Sequence, residues 1–297
     1  IPATLKGFLL LVLISANLIS LAPVVQQAFR SAADAPKQQT KQAVTSEQAR
    51  SGLPDIYWIV LDSHTRADVL QSVYAYDSSE FLGDLEALGF YTATCSQSNY
   101  PTTSYSLSSM MNMGYLQDEA QPGSLQPLYM SRVSQYLRQQ GYTFIAFDNY
   151  ASSHFELGED RLLSRLDGNP LAELTFGGVS EFELMLLETT AFRVFIDMPY
   201  LLPGMDFSQA KYMEHYLQTL YTLENLPKVP ETGTPRFISA HILVPHDPYI
   251  FTADGEYEET DQSIPGYRGN TAFIDREIVK ALAAILAGAD TPPVIIL

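Results

Sequence analysis

A chain of 297 residues, 46% hydrophobic and 17% charged, is long enough to bury one large core or two small ones. Its formal net charge of −17 argues against nucleic acid as a partner, because phosphate binding needs clustered Lys and Arg. The single cysteine, Cys95, excludes an internal disulfide framework and a cysteine-rich zinc site.

Residues Phe8 to Val25 form a mostly apolar run, broken by Ser15, Asn17, Ser20 and Pro23. As a helix it spans roughly 27 Å, close to the thickness of a bilayer core. A transmembrane helix over about residues 1–28 is the first expectation, ahead of a signal-peptide core or a buried helix. No clean small-x-small cleavage site follows the run. Lys6 on one side, with Arg30, Lys37 and Lys41 on the other, leaves the orientation open. Residues 29–53 are rich in Ala, Gln, Ser, Thr and Lys and offer little to bury, which predicts a solvated stalk. The globular part is expected from Pro54 to Leu297. The chain lacks an initiator Met and stops within an apolar run, Pro292-Pro-Val-Ile-Ile-Leu297, so a fragment cut at both ends is expected.

From Pro54 onward strands and helices alternate. Ile56–Leu61 reads as a strand and Ser78–Leu88 as a helix with Phe81, Leu82, Leu85 and Leu88 on one face. Phe90–Thr94 reads as a short strand, and a helix opens near Thr103. Leu128–Gln140 reads as a helix, Tyr142–Phe147 and Arg236–Leu243 as strands, Ala272–Leu286 as a helix and Val294–Leu297 as a last strand. Strands of continuous Ile, Val and Phe spaced by amphipathic helices predict an α/β fold, a mostly parallel sheet sandwiched by helices. Between about 150 and 235 the pattern turns helical and aromatic, with Phe182–Phe195 and Phe207–Leu226 as helices. It reads as an insertion covering one side of the site.

Three segments carry residues able to do chemistry. Asp55-Ile-Tyr-Trp-Ile-Val-Leu-Asp62 is an apolar run ending on an acid. Asp62 is either a cap for the following turn or a hard oxygen ligand at the C-terminal edge of the sheet, where open α/β sheets bind ligands. Ser98-Asn-Tyr-Pro-Thr-Thr-Ser-Tyr-Ser-Leu-Ser-Ser109 is dense in hydroxyls. Thr102 and Thr103 either cap the helix or supply a nucleophile at its N-terminus, where negative charge is favoured. No G-x-S-x-G signature is present, so metal activation is the better route to such a nucleophile. Ala240-His-Ile-Leu-Val-Pro-His-Asp-Pro-Tyr249 places His241 and His246 at a strand end, where His246 suits contact with a phosphate or sulfate oxygen. His154 and His215 read as structural or solvated. His64, two residues past Asp62, is ambiguous.

Together with Arg66-Ala-Asp-Val-Leu70, these segments resemble the sulfatase-like branch of the alkaline phosphatase superfamily. That branch includes sulfatases, lipoteichoic acid synthases and phosphoethanolamine transferases, many with a membrane-anchored N-terminus. The resemblance covers about Pro54 to Leu297 and rests on the order and spacing of the segments. It implies Asp62 as the first metal ligand and Thr103, with Ser106 three residues on, as the nucleophile and a second ligand. It implies His246 as a binder of the substrate anion, with His241 and Thr102 beside it. The cofactor it implies is a divalent ion, one of Mn, Ca, Zn or Mg. The family's second ligand pair, an Asp-His-Gly, follows the strand matched by Val294–Leu297, so this fragment is expected to lack part of the metal site and to be inactive alone. Formylglycine sulfatases carry Cys or Ser followed by x-Pro-x-Arg. Cys95 is followed instead by Ser-Gln-Ser-Asn, and a threonine suits phosphoryl-type transfer better.

The expected activity is that of a membrane-anchored, metal-dependent hydrolase or transferase with its globular domain outside the cytoplasm. Its substrate would be a lipid- or glycan-linked phospho- or sulfo-ester of the cell envelope. The alternatives are a true sulfatase lacking the usual modification, and a non-catalytic surface protein that keeps the fold.

Overall fold

The computed structural model describes residues 52–116, 127–149, 157–165 and 207–297. The expected transmembrane helix, most of the stalk, the helix at Phe182–Phe195 and His154 lie outside these residues. Among the described residues no helix is long and apolar enough to cross a membrane. The chain divides into two compact units, residues 1–46 with 179–208 and residues 47–178 with 209–297. The fold below is that of the second.

Five strands form a sheet: β1 (Ile56–Leu61), β2 (Thr143–Phe147), β3 (Arg161–Leu163), β4 (Arg236–Ile242) and β7 (Val294–Ile296), in the order β3-β2-β4-β1-β7. Every pairing in it is parallel. In strand geometry alternate residues face opposite sides, and here both sides are apolar. Tyr57 and Ile59 of β1, Ile145 and Phe147 of β2, and Ile238, Ala240 and Ile242 of β4 enter one core; Trp58, Phe144 and Phe237 enter the other. That is why these strands read as continuous apolar runs rather than as alternating ones.

The first core is covered by α2 (Ser79–Ala87) through Phe81 and Leu85, and by α6 (Ser263–Gly288) through Phe273, Ile274, Ile278 and Leu282. Leu223 of α5 (Phe207–Asn225) joins the same cluster. The second core is covered by α3 (Thr103–Asn112) through Leu107 and Met111, and by α4 (Arg132–Gln139) through Leu137. At the opposite end of the strands from the site, Asp55 accepts from the main-chain nitrogen of Arg236 at 2.8 Å and from its Nε at 3.0 Å. This pair locks the starts of β1 and β4 in register.

Several elements depart from the sequence reading. Phe90–Thr94 is not a strand and pairs with none of the five strands of the sheet. Phe90 instead packs against the first core while Tyr91 stands 91% exposed. A short helix, α1 (Ala67–Tyr74), follows β1, and Leu128–Gln140 divides into a 3-10 turn (Leu128–Met130) and α4. Ser131 makes that division by capping α4, its side chain accepting from the Ser134 main-chain nitrogen. Within the expected insertion, Arg161–Leu163 pairs with β2 as the sheet's edge strand.

The long helix α6 starts nine residues before Ala272, at Ser263. Gly266 and Gly269 are weak helix formers, but they admit a neighbouring hairpin, β5 (Tyr249–Phe251) and β6 (Tyr257–Thr260). A Cβ on Gly266 would lie 2.5 Å from Tyr249 Cβ, and one on Gly269 would lie 2.6 Å from the Phe251 carbonyl oxygen. The glycines let β5 lie directly on the helix. Phe251 then stacks on Phe273 at 4.0 Å between ring centroids.

Candidate functional site

The C-terminal ends of β1, β4 and β2 lie side by side, and each delivers a polar side chain to the same edge. Asp62 follows β1, His241 is the next-to-last residue of β4, and Asn149 lies two residues past β2. The backbone holds Asp62 from both sides: its nitrogen donates to the Ile242 carbonyl at 2.9 Å, and its carbonyl accepts from the His246 nitrogen at 3.1 Å. Ser63, next in sequence, adopts a left-handed φ of 68°, which turns the chain away as soon as the carboxylate has been presented.

The Asp62 carboxylate meets two partners. Thr103 Oγ1 donates to it, 3.1 Å from Oδ2 and 3.3 Å from Oδ1. His241 Nε2 lies 3.0 Å from Oδ2. The side chains of Asp62 and His241 are only 12% and 10% exposed. Burial alone would raise the Asp62 pKa, but the hydrogen bonds from His241 and Thr103 and the charge of His246 outweigh it. The carboxyl therefore stays below its ordinary range.

Thr103 is the first residue of α3, so its hydroxyl sits at the positive end of that helix. Thr102 is exposed and serves α3 through its main chain, its carbonyl accepting from the Ser106 nitrogen at 3.0 Å. The remaining hydroxyls of this segment hold the loop before the helix. Ser106 Oγ donates to the Tyr100 carbonyl at 2.8 Å and lies 2.7 Å from Ser98 Oγ, and Asn99 Nδ2 donates to Ser109 Oγ at 2.9 Å. The serine three residues after Thr103 is thus a loop anchor.

His246 is more open, its side chain 42% exposed, with Nδ1 2.5 Å from the Asp247 carbonyl oxygen. It borders a cleft of about 210 Å³ lined also by Ser63, Thr65, Tyr249 and Tyr267. His64 turns away from the carboxylate. Its Nε2 pairs with Asp275 Oδ1 of α6 at 2.7 Å, and Tyr76 donates to Asp275 Oδ2 at 2.9 Å, so this histidine fastens the loop after Asp62 to the helix.

The structure therefore brings Asp62, Thr103 and His241 together and puts His246 at the mouth of the adjoining cleft. Sequence reasoning did not find Asn149, Asn270 or Asp275. Asn149 stands alone just past the end of β2. Asn270 lies just before the helix expected at Ala272–Leu286, and Asp275 is one polar position within it. Asn270 is fully buried: its Oδ1 accepts from the nitrogens of Ile250 and Phe251, and its Nδ2 donates to the carbonyls of His246 and Pro248.

His215, on α5, is 2% exposed. Burial pushes its imidazole down to about 4, a hydrogen bond with the Leu243 main chain works the other way, and the charge of His246 lowers it further. The unfolded chain binds this proton near 6.5, the folded chain only near 4. Its contribution to stability is therefore complete above about pH 6.5 and is lost as the pH falls toward 4, by about 3 kcal/mol in total. In urea unfolding at pH 7 and pH 5, wild type should lose about 2 kcal/mol more than His215→Leu does. Equal losses in the two proteins would refute this account.

Asp62 and Thr103 bring hard oxygen donors within 3.3 Å of one another, the donor class that Mg, Ca and Mn take. Among the described residues no group of three or more His, Cys, Asp and Glu side chains is placed to hold a metal ion. No protein-family model matches this chain, and no curated protein or solved structure shows significant similarity to it.

Proposed function

We propose that this protein is a hydrolase or transferase of phospho- or sulfo-esters, with Thr103 as nucleophile. The observation that carries the reading is the Thr103 hydroxyl donating to the buried Asp62 carboxylate, at a helix N-terminus and at the C-terminal edge of a parallel sheet. A hydroxyl is a poor nucleophile until a neighbour takes its proton, and Asp62 is ionised and within hydrogen-bonding reach. In the first step the Thr103 oxygen bonds to phosphorus or sulfur as the bond to the leaving alcohol breaks, and the threonine proton passes to Asp62. The N-terminus of α3 faces the charge that gathers on the non-bridging oxygens. His246, at the cleft, protonates or hydrogen-bonds the departing oxygen. Water or an acceptor alcohol then releases the group from Thr103.

Asp62 and Thr103 would hold a divalent cation, which when bound withdraws charge from the nucleophile and the ester oxygens. The threonine nucleophile, with no Cys or Ser followed by x-Pro-x-Arg, favours a phosphodiester over a sulfate ester, and the apolar run at Phe8–Val25 favours attachment to a membrane beside an envelope substrate. The test is hydrolysis of a generic phosphodiester and a generic sulfate ester by the full-length protein, across a series of divalent ions. The expected result is metal-stimulated turnover of the phosphodiester that Asp62→Ala lowers together with metal affinity. Turnover unaffected by Asp62→Ala would overturn the reading.

A further inference from the structure

The edge of the sheet carries more than the pair at its centre. Asn149 Nδ2 lies 3.1 Å from His241 Nδ1 and 3.3 Å from the His241 main-chain oxygen. A carbonyl oxygen can only accept a hydrogen bond, so the amide atom beside it is the NH2 nitrogen and not the side-chain oxygen. That same NH2 group therefore also points at Nδ1, and Nδ1 must present a lone pair to it. A neutral imidazole carries one proton, which is left on Nε2. Nε2 lies 3.0 Å from Asp62 Oδ2, where a carboxylate needs a donor. Both ends of the ring thus call for the same tautomer. The opposite one would set two donors against each other at Asn149 and two acceptors against each other at Asp62.

We propose that Asn149 is a positioning residue, which holds His241 in its Nε2–H tautomer and so makes it a fixed donor to Asp62 rather than a base for Thr103. The relay Asn149–His241–Asp62–Thr103 crosses the ends of β2, β4 and β1, three strands adjacent in the sheet. His241 locks the rotation of the carboxylate, and the proton of Thr103 has Asp62 alone as its acceptor in the relay. A group that orients a reactive carboxylate in this way commonly matters by about 10–100-fold. The catalytic part of this assignment rests on the function proposed above; the tautomer does not.

The test uses the full-length protein labelled with 15N-histidine, read by long-range proton–nitrogen correlation, with the His241 signals identified by their loss in His241→Gln. In wild type His241 should show an unprotonated Nδ1 and a protonated Nε2. Asn149→Asp, nearly the same shape but an acceptor, should add a proton at Nδ1 while Nε2 keeps its own, giving a ring protonated on both nitrogens, and Asn149→Ala should give a mixture of tautomers. Both variants should lower kcat on a phosphodiester by about 10–100-fold with KM little changed. A wild-type ring protonated on Nδ1, or on both nitrogens, would overturn the proposal, and so would an Asn149→Ala protein with an unaltered tautomer. If the tautomers behave as stated while Thr103→Ala stays active, the nucleophile assignment fails and the role of Asn149 in setting the ring stands.

Discussion

Thr103→Ala in the full-length protein is expected to lower turnover of a phosphodiester by roughly 10³-fold or more, the scale on which enzymes lose activity with their nucleophile. The fold should survive. Thr103 is half-buried, its hydroxyl makes the hydrogen bond to Asp62, and alanine is the best helix former for the first position of α3. Loss of that hydrogen bond costs about 1 kcal/mol. Thr102→Ala should stay within a few-fold of wild type, because Thr102 is exposed and gives α3 no side-chain cap. The two residues are adjacent, yet only Thr103 reaches the carboxylate. A dead Thr102→Ala beside an active Thr103→Ala would shift the nucleophile by one residue. Full activity in both would remove it from this segment.

The largest loss of stability is expected at Asn270. Replacing it by alanine strands the buried nitrogens of Ile250 and Phe251 and removes the donors to the His246 and Pro248 carbonyls. At about 1–3 kcal/mol for each buried group left unpaired, the total should be roughly 3–5 kcal/mol. Asn270→Asp keeps the two acceptor contacts and loses the two donated ones, so it tests the two halves of the clamp separately. Because the clamp holds the His246 loop, Asn270→Ala should also reduce activity in whatever fraction remains folded. The measurement is urea unfolding with a check that the denaturant slope is unchanged. A loss below about 1 kcal/mol would show that water replaces the amide at no great cost.

The sheet was legible because burial on both faces leaves a plain mark in one dimension. Ile56–Leu61 and the strand ending at Phe147 are apolar at nearly every position, and Arg236–Ile242 carries apolar Phe237 and Ile238 on opposite faces, the pattern of a strand covered on both sides. The acid ending the first run was legible for the same reason, since a charge directly after a buried strand stands at the sheet edge. Thr103 was legible as one of two adjacent hydroxyls, separable only once α3 had set which of them turns toward Asp62.

What the chain in one dimension could not decide was pairing across long separations. Asp275 lies 211 residues from His64, and Asn149 lies 92 from His241. A lone polar residue has no periodicity, so its partner is invisible until the sheet order places them together. The helical glycines went unread for a related reason. Propensity counts what Gly266 and Gly269 lose in a helix, whereas the space they leave for β5 exists only after packing. Local composition and period determined β1, β2, β4 and β7 and the candidate acid and hydroxyl of this protein, but not β3 or the β5–β6 hairpin. Tertiary contact decided which histidine serves Asp62, which serves the helix and which is buried in α5, because side-chain partnership depends on distance in space and not on distance along the chain.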